Sequence, residues 1–221
     1  MTPEFWLNRW ERGEIGWHQT EINVHLQAYW PQLDLAPDTQ VFVPLCGKSL
    51  DMLWLVSRGH RVLGVEISEP AIRSFFQDHE LHPQMSDKPP FRRYVVDELE
   101  ILVGDYFQLT ACDLAEVGAV FDRASLIALP PGMRPRYSDQ FKAIVPTTAT
   151  CFLITLDYDQ EEMSGPPFAV TDEEVSRLFS DRYRIESLAS FDIIDDAPRF
   201  RQRGLTALRE QVWQLQPRED R

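Results

Sequence analysis

Glu66 and the turn Pro44-Leu45-Cys46-Gly47-Lys48-Ser49 are the first residues whose types and spacing could do chemistry. An acidic residue ~20 positions beyond a strand-to-helix turn can accept hydrogen bonds from both hydroxyls of a ribose. Glu66 lies about that far past Gly47, so the pattern predicts a ligand that contains a nucleoside. A second acidic residue, Asp105, precedes an aromatic one, Tyr106. A carboxylate there can accept from the exocyclic amine of adenine while the aromatic ring lines the base, although an ordinary turn residue would look the same. Asp122-Arg123 closes another apolar run, and Arg199-Phe200-Arg201 is a basic knot in an acidic chain.

Competing chemistries fit less well. A dinucleotide fold would carry Gly-x-Gly-x-x-Gly at the first turn, which here has one glycine. Gly47-Lys48-Ser49 matches the end of a phosphate loop, but Phe42 stands where that loop needs its first glycine. A nucleotide-dependent kinase or ATPase is therefore disfavoured. His18 can be considered as a base because histidine titrates near neutral pH, but a lone histidine beside a tryptophan reads first as structural or surface. His25, His60, His79 and His82 carry no partner signature. Cys46 raises a covalent thiol route, yet its neighbours predict backbone packing around a ligand.

These residues need elements to position them. Val41 to Val43 reads as a buried strand ended by Pro44. A helix from about Ser49 to Arg58 is predicted to turn Leu50, Leu53, Trp54 and Ser57 inward, with Gly59 as its stop. Val62 to Val65 forms the next strand, which places Glu66 at its carboxyl end, where open parallel sheets bind ligands. Ser68 caps a helix from near Pro70, with Ile72, Phe75, Phe76 and His79 on its inner stripe. His82 to Phe91, with three prolines, reads as a mobile loop, more a plain variable crossover than a lid. Leu99–Val103 and Gly118–Phe121 are further strands. Asp105 follows the first of these, and Arg123 the second.

Upstream, Pro3 opens a helix over residues 3–12 that carries Phe5, Trp6, Leu7 and Trp10, and a second helix runs from about Asn23 to Trp30. Downstream, Met133–Val145 is a helix and Thr150–Leu156 a strand. Tyr158–Phe168 is predicted to rim a substrate pocket. Thr171 and Glu174 have capping-box spacing, and Arg184–Phe191 and Leu205–Leu215 are two closing antiparallel strands.

The PLCGKSLD turn, GHRVLGVEIS and VFDRASLIALPPGMR together closely resemble the thiopurine S-methyltransferase family, from about Phe5 to Gln214. Gly16-Trp17-His18 also fits its pattern. The resemblance implies an α/β, Rossmann-like class I methyltransferase with a mainly parallel seven-stranded sheet, helices on both faces and an N-terminal helical extension. It implies a single domain over 1–221, with 1–38 as the helical cap and 217–221 as a flexible tail. It explains the missing glycine fingerprint, because PLCGK replaces that turn. It implies S-adenosyl-L-methionine as cofactor, with Trp10 and Leu45 packing on it, Glu66 on the ribose, and Asp105 and Tyr106 flanking adenine. Arg123 falls on a residue of the cofactor region and Arg199 on a substrate-side arginine; both are candidate catalytic residues.

The chain has 221 residues, 43% of them hydrophobic, and a net charge of −13. That acidity opposes nucleic-acid and anionic-membrane binding, which need a basic patch. Three widely spaced cysteines, Cys46, Cys112 and Cys151, form no disulfide framework or metal-ligand pattern. The charged N-terminus lacks the apolar stretch of a signal peptide, and no run spans a membrane. The expectation is a cytoplasmic monomer without metal. Its reaction transfers a methyl group to a small-molecule aromatic or heterocyclic thiol such as a thiopurine. The alternatives are acceptors such as halide, thiocyanate or selenium and tellurium species, and a non-catalytic S-adenosylmethionine sensor. The missing Asn/Asp-Pro-Pro-Tyr run at Asp122-Arg123-Ala124-Ser125 disfavours DNA or protein amines as acceptors.

Overall fold

The elements come from a computed structural model that describes residues 2–14 and 18–218. In chain order they begin with helices α1 (Pro3–Glu11) and α2 (Val24–Tyr29) and a 3-10 turn at Trp30–Leu33. Strand β1 (Gln40–Val43), α3 (Asp51–Ser57), β2 (Arg61–Glu66) and α4 (Glu69–Asp78) follow. Next come β3 (Gln84–Lys88), β4 (Phe91–Val96), β5 (Leu99–Val103) and β6 (Val117–Asp122). The remainder is α5 (Ser125–Ala128), α6 (Arg134–Ile144), β7 (Thr150–Asp157), α7 (Asp172–Phe179), β8 (Tyr183–Asp192), α8 (Pro198–Gln202) and β9 (Arg209–Pro217). Two units contain them, residues 1–121 and 122–221. Gly16 and Trp17, part of the expected family pattern, and residues 219–221 of the expected tail lie outside the described residues.

In the first unit the strands run β3-β4-β5-β2-β1-β6. β5, β2, β1 and β6 are mutually parallel, with Val43 opposite Gly64 and Glu66 opposite Val103. The carboxyl ends of β1, β2 and β5 therefore share one edge. The parallel strands read as continuous apolar runs because both faces are covered: Val41, Phe42, Leu63, Val65, Ile101 and Val120 are all buried. Ser68 caps α4 by accepting from Ala71 N at 3.3 Å, and Ile72, Phe75 and Phe76 are buried on its inner stripe as expected.

The second unit is an antiparallel trio in the order β7-β9-β8 with helices α5 to α8. Phe141 of α6 meets Phe179 of α7 and Tyr183 of β8 with ring centroids 5.5 and 6.3 Å apart. Burying each such ring is worth about 1.5–3 kcal/mol, which fastens both helices to the strands. Thr171 caps α7 by accepting from Glu174 N at 3.3 Å, as the spacing predicts. The Glu174 carboxylate does not complete a capping box. It pairs with Arg134, whose side chain is fully buried, and with Arg177.

The α/β architecture with helices on both faces is as expected, but nine strands are present among the described residues rather than seven. The two extra strands form the hairpin β3–β4, which occupies much of the segment expected to be a mobile loop. Pro83 lies before β3, and Pro89 and Pro90 sit in the turn, positions where proline removes no ladder hydrogen bond. β3 is exposed along most of its length and lacks the apolar alternation that would have marked it. The inner face of α3 also differs from expectation: Asp51, Met52 and Leu55 are buried, while Leu50, Leu53 and Trp54 are only half-buried and Ser57 is exposed. Asp51 tolerates burial because Oδ1 accepts from Asn23 N at 2.8 Å and Oδ2 from Ser49 Oγ at 2.9 Å.

Candidate active site

The turn after β1 is built from backbone that few residues adopt. Leu45 and Gly47 both take left-handed conformations, with φ of 48° and 54°. Cys46 N donates to Val65 O at 2.9 Å, which brings the turn against the end of β2. There Glu66, 5% exposed, accepts from Gly47 N through Oε2 at 3.0 Å and from Ser68 N through Oε1 at 2.9 Å. Burial pushes the Glu66 pKa up, and the N–H groups of Ser68, Gly47 and Ile67 pull it back. A carboxylate offers about four acceptor positions, so these three donors leave one for a hydroxyl group. That capacity fits a ribose. Trp10 reaches the same turn: a Cβ placed on Gly47 would come within 3.3 Å of its indole. Leu45 stands half-buried beside it.

The third strand end joins through the backbone of the same glutamate. Gly104 N donates to Glu66 O at 2.9 Å. Asp105 follows and caps a 3-10 turn, accepting from Phe107 N through Oδ1 at 2.9 Å, while Tyr106 is buried against Phe107. Trp10, Leu45, Glu66, Asp105 and Tyr106 are thus all found at or beside the turns that follow β1, β2 and β5.

The phosphate-loop remnant is committed elsewhere. Lys48 Nζ pairs with Asp78 at 2.9 Å and lies 3.3 Å from Ser74 Oγ, both on α4. Ser49 Oγ donates to Asp51. Cys46 is buried, and burial together with the Glu66 charge holds its thiol well above the ordinary range. A thiol so held is a poor nucleophile.

In the second unit Arg123 occupies the two-residue link between β6 and α5, half-buried. The residue before it is the one that fixes this link. Asp122 is 1% exposed, with Oδ1 accepting from Ser125 N at 3.1 Å and Oδ2 from Tyr137 Oη at 2.6 Å. Burial raises its pKa against those hydrogen bonds. The sequence marked Asp122 only as a strand end; nothing local points to Tyr137, 15 residues on. Arg199 is on α8, its guanidinium carbon 4.8 Å from the centroid of Phe200. Phe200 belongs to a buried cluster with Leu156, Tyr158, Met163, Ala169, Leu205 and Leu208, against which Ile127 of α5 packs. Arg123 and Arg199 thus stand beside elements that share one apolar cluster.

His60, left without a role by the sequence, has a partner: Trp30 Nε1 donates to its Nε2 at 3.0 Å. His18 is half-buried near the start of α2.

Two solved structures share the fold. A methyltransferase from Anabaena variabilis described as dependent on S-adenosylmethionine superposes with a TM-score of 0.63 at 13% identity, covering 98% of this chain and 95% of its own. The Burkholderia thailandensis 1,6-didemethyltoxoflavin-N1-methyltransferase, solved with 1,6-didemethyltoxoflavin and S-adenosylhomocysteine, gives 0.65 at 15% identity, covering 98% and 87%. The fold is that of the S-adenosylmethionine-dependent methyltransferases. Sequence narrows the class further. The family described as thiopurine S-methyltransferase matches residues 1–218. Proteins named thiopurine S-methyltransferase from Pseudomonas fluorescens and Azotobacter vinelandii are each 48% identical, over 97% and 99% of this chain and 99% and 100% of their own. The chain belongs to the thiopurine S-methyltransferase family, and the methyltransferase activity and S-adenosyl-L-methionine cofactor expected from the sequence are borne out with it.

Proposed function

We propose that the protein transfers the methyl group of S-adenosyl-L-methionine to the sulfur of an aromatic or heterocyclic thiol such as a thiopurine. The observation that carries this reading is Glu66, which supports the first turn through its side chain and the Gly104-Asp105 turn through its carbonyl. One buried residue thereby organises the three strand ends where a nucleoside would lie. When bound, S-adenosyl-L-methionine supplies a methyl group already activated on a sulfonium sulfur. The protein's work is then to bind, orient and adjust charge.

In this reading Glu66 accepts from the ribose hydroxyls, and Asp105 and Tyr106 flank adenine. Trp10 and Leu45 pack on the adenosine or methionine parts, and Arg123 is a further candidate for cofactor binding. On the acceptor side Arg123 and Arg199 stabilise negative charge on sulfur. An arginine is too basic to remove a proton, so neither acts as a base. None is needed, because an aromatic thiol, unlike an alcohol, gives accessible thiolate near neutral pH. The acidic chain and the absence, among the described residues, of a helix able to cross a membrane are consistent with a small soluble acceptor.

The test is an acceptor panel with S-adenosyl-L-methionine as donor: a thiopurine, an aromatic alcohol of the same shape, iodide and thiocyanate. S-methylation of the thiopurine, with no methylation of the alcohol, is expected. Turnover of the anions alone would replace the thiol by a halide-type acceptor. Cofactor binding without turnover of any acceptor would replace the enzyme by a sensor.

A further inference from the structure

Segment 158–170 and the turn that follows α8 are joined by contacts the methyl-transfer chemistry does not use. Glu162 accepts from Thr206 twice, from the backbone N through Oε2 at 2.9 Å and from Oγ1 through Oε1 at 2.6 Å. Arg203 Nη1 donates to Pro166 O at 3.4 Å. Between Arg203 and Thr206 stands Gly204, at φ +105°, where a Cβ would lie 3.7 Å from Glu162 O. The same segment is braced internally by Gln160, which donates to Tyr158 Oη and Met163 O and accepts from Ala169 N at 2.9 Å. Phe168 N, in turn, donates to Ile127 O of α5 at 2.7 Å.

We infer that Glu162 is a positioning residue for the methyl acceptor: its double acceptance from Thr206 sets the register of α8 on segment 158–170, and with it the place of Arg199. The inference rests on the reading of Arg199 as an acceptor-side residue. The path is continuous in the second unit. Thr206 follows Leu205, Leu205 and Phe200 share the cluster with Tyr158 and Met163, and the Arg199 guanidinium lies over Phe200. Thr206 is exposed and Glu162 half-buried, so the clasp adds little to global stability, which the buried cluster supplies. What it fixes is the relation of two loops, and misplacement of a binding group by even an ångström is expensive in catalysis.

The experiment is steady-state methylation of 6-mercaptopurine at saturating S-adenosyl-L-methionine, with melting temperature and S-adenosylhomocysteine affinity measured on the same preparations. Glu162→Ala should raise the acceptor KM roughly tenfold or more while kcat falls less. Its melting temperature and S-adenosylhomocysteine affinity should match wild type. Glu162→Gln, which can still accept from Thr206 N and donate to Thr206 Oγ1, should restore most of the KM. A folded Glu162→Ala with wild-type KM would overturn the inference, as would a Glu162→Gln no better than Ala. Arg199→Ala separates the levels. If it raises KM and Glu162→Ala does not, only the clasp fails; if neither does, the reading of Arg199 as an acceptor-side residue fails first.

Discussion

Glu66 Oε2 accepts the Gly47 N–H at 3.0 Å across 19 positions of sequence, so the carboxylate proposed to hold the ribose is also the strut of the first turn. Its other oxygen supports Ser68, the cap of α4. Removing the side chain therefore disturbs both fold and binding.

Glu66→Gln keeps the shape but sets an NH2 against a backbone N–H that the carboxylate accepts from, that of Gly47 or of Ser68. We expect a stability loss of about 1–3 kcal/mol by urea unfolding and at least about tenfold weaker S-adenosylhomocysteine binding by calorimetry. The pH dependence has a definite sign. Burial holds the Glu66 pKa above its ordinary 4.5. The folded state then binds that proton more readily than the unfolded chain, and ionisation as pH rises through the window costs stability. The advantage of wild type over Glu66→Gln should narrow as pH rises from 4.5 through the raised pKa. A gap that widens over that range would contradict the burial argument.

Trp10 offers a cleaner separation of binding from stability. α1 contains no fully buried residue, yet the Trp10 indole packs on Gly47. Trp10→Ala should weaken S-adenosylhomocysteine binding by about 1–2 kcal/mol, with less than about 1 kcal/mol lost in unfolding. Equal losses in both would make Trp10 a structural residue only.

His60 predicts an acid-sensitive contact. Its Nε2 accepts from Trp30, and burial pushes its pKa below the ordinary 6.5. A base depressed on folding contributes stability in full above 6.5, and this is lost as pH falls below 6.5 toward the folded value. Urea midpoints at about pH 7.5 and about pH 5.5 should show a smaller acid loss in His60→Gln than in wild type. Parallel losses would remove His60 from the account.

Lys48 tests the rejected phosphate reading. Because its ammonium pairs with Asp78 on α4, Lys48→Ala should leave S-adenosylhomocysteine affinity within about threefold, and magnesium-ATP should not raise the melting temperature of wild type. Saturable stabilisation by magnesium-ATP would reopen that reading.

The sequence was most informative where local rules decide the outcome. Ser68 and Thr171 cap the helices they were expected to cap, and Glu66 falls at a strand end because β2 is a short apolar run with a glycine stop before it. Contacts distant in sequence were not legible. Asp51 lies on the buried face of α3 and accepts from Asn23, 28 residues earlier, a partner that no local rule on the helix reveals. Glu174 has the spacing of a capping box but is taken by Arg134, 40 residues away. The β3–β4 hairpin escaped because its prolines lie at the ends of the strands and its outer strand is polar. In the site, the turn residues were readable, whereas Tyr137 on Asp122 and Thr206 on Glu162 depend on tertiary packing.

The central claim, that the turns held by Glu66 bind S-adenosyl-L-methionine for methyl transfer to sulfur, is tested most directly by one preparation in two steps. Calorimetric titration with S-adenosylhomocysteine comes first, followed by mass spectrometry of a thiopurine incubated with S-adenosyl-L-methionine and the protein. We expect saturable binding that Glu66→Gln weakens, and a thiopurine product heavier by one methylene with the methyl on sulfur. No binding of S-adenosylhomocysteine by the folded wild-type protein would contradict the account at its base.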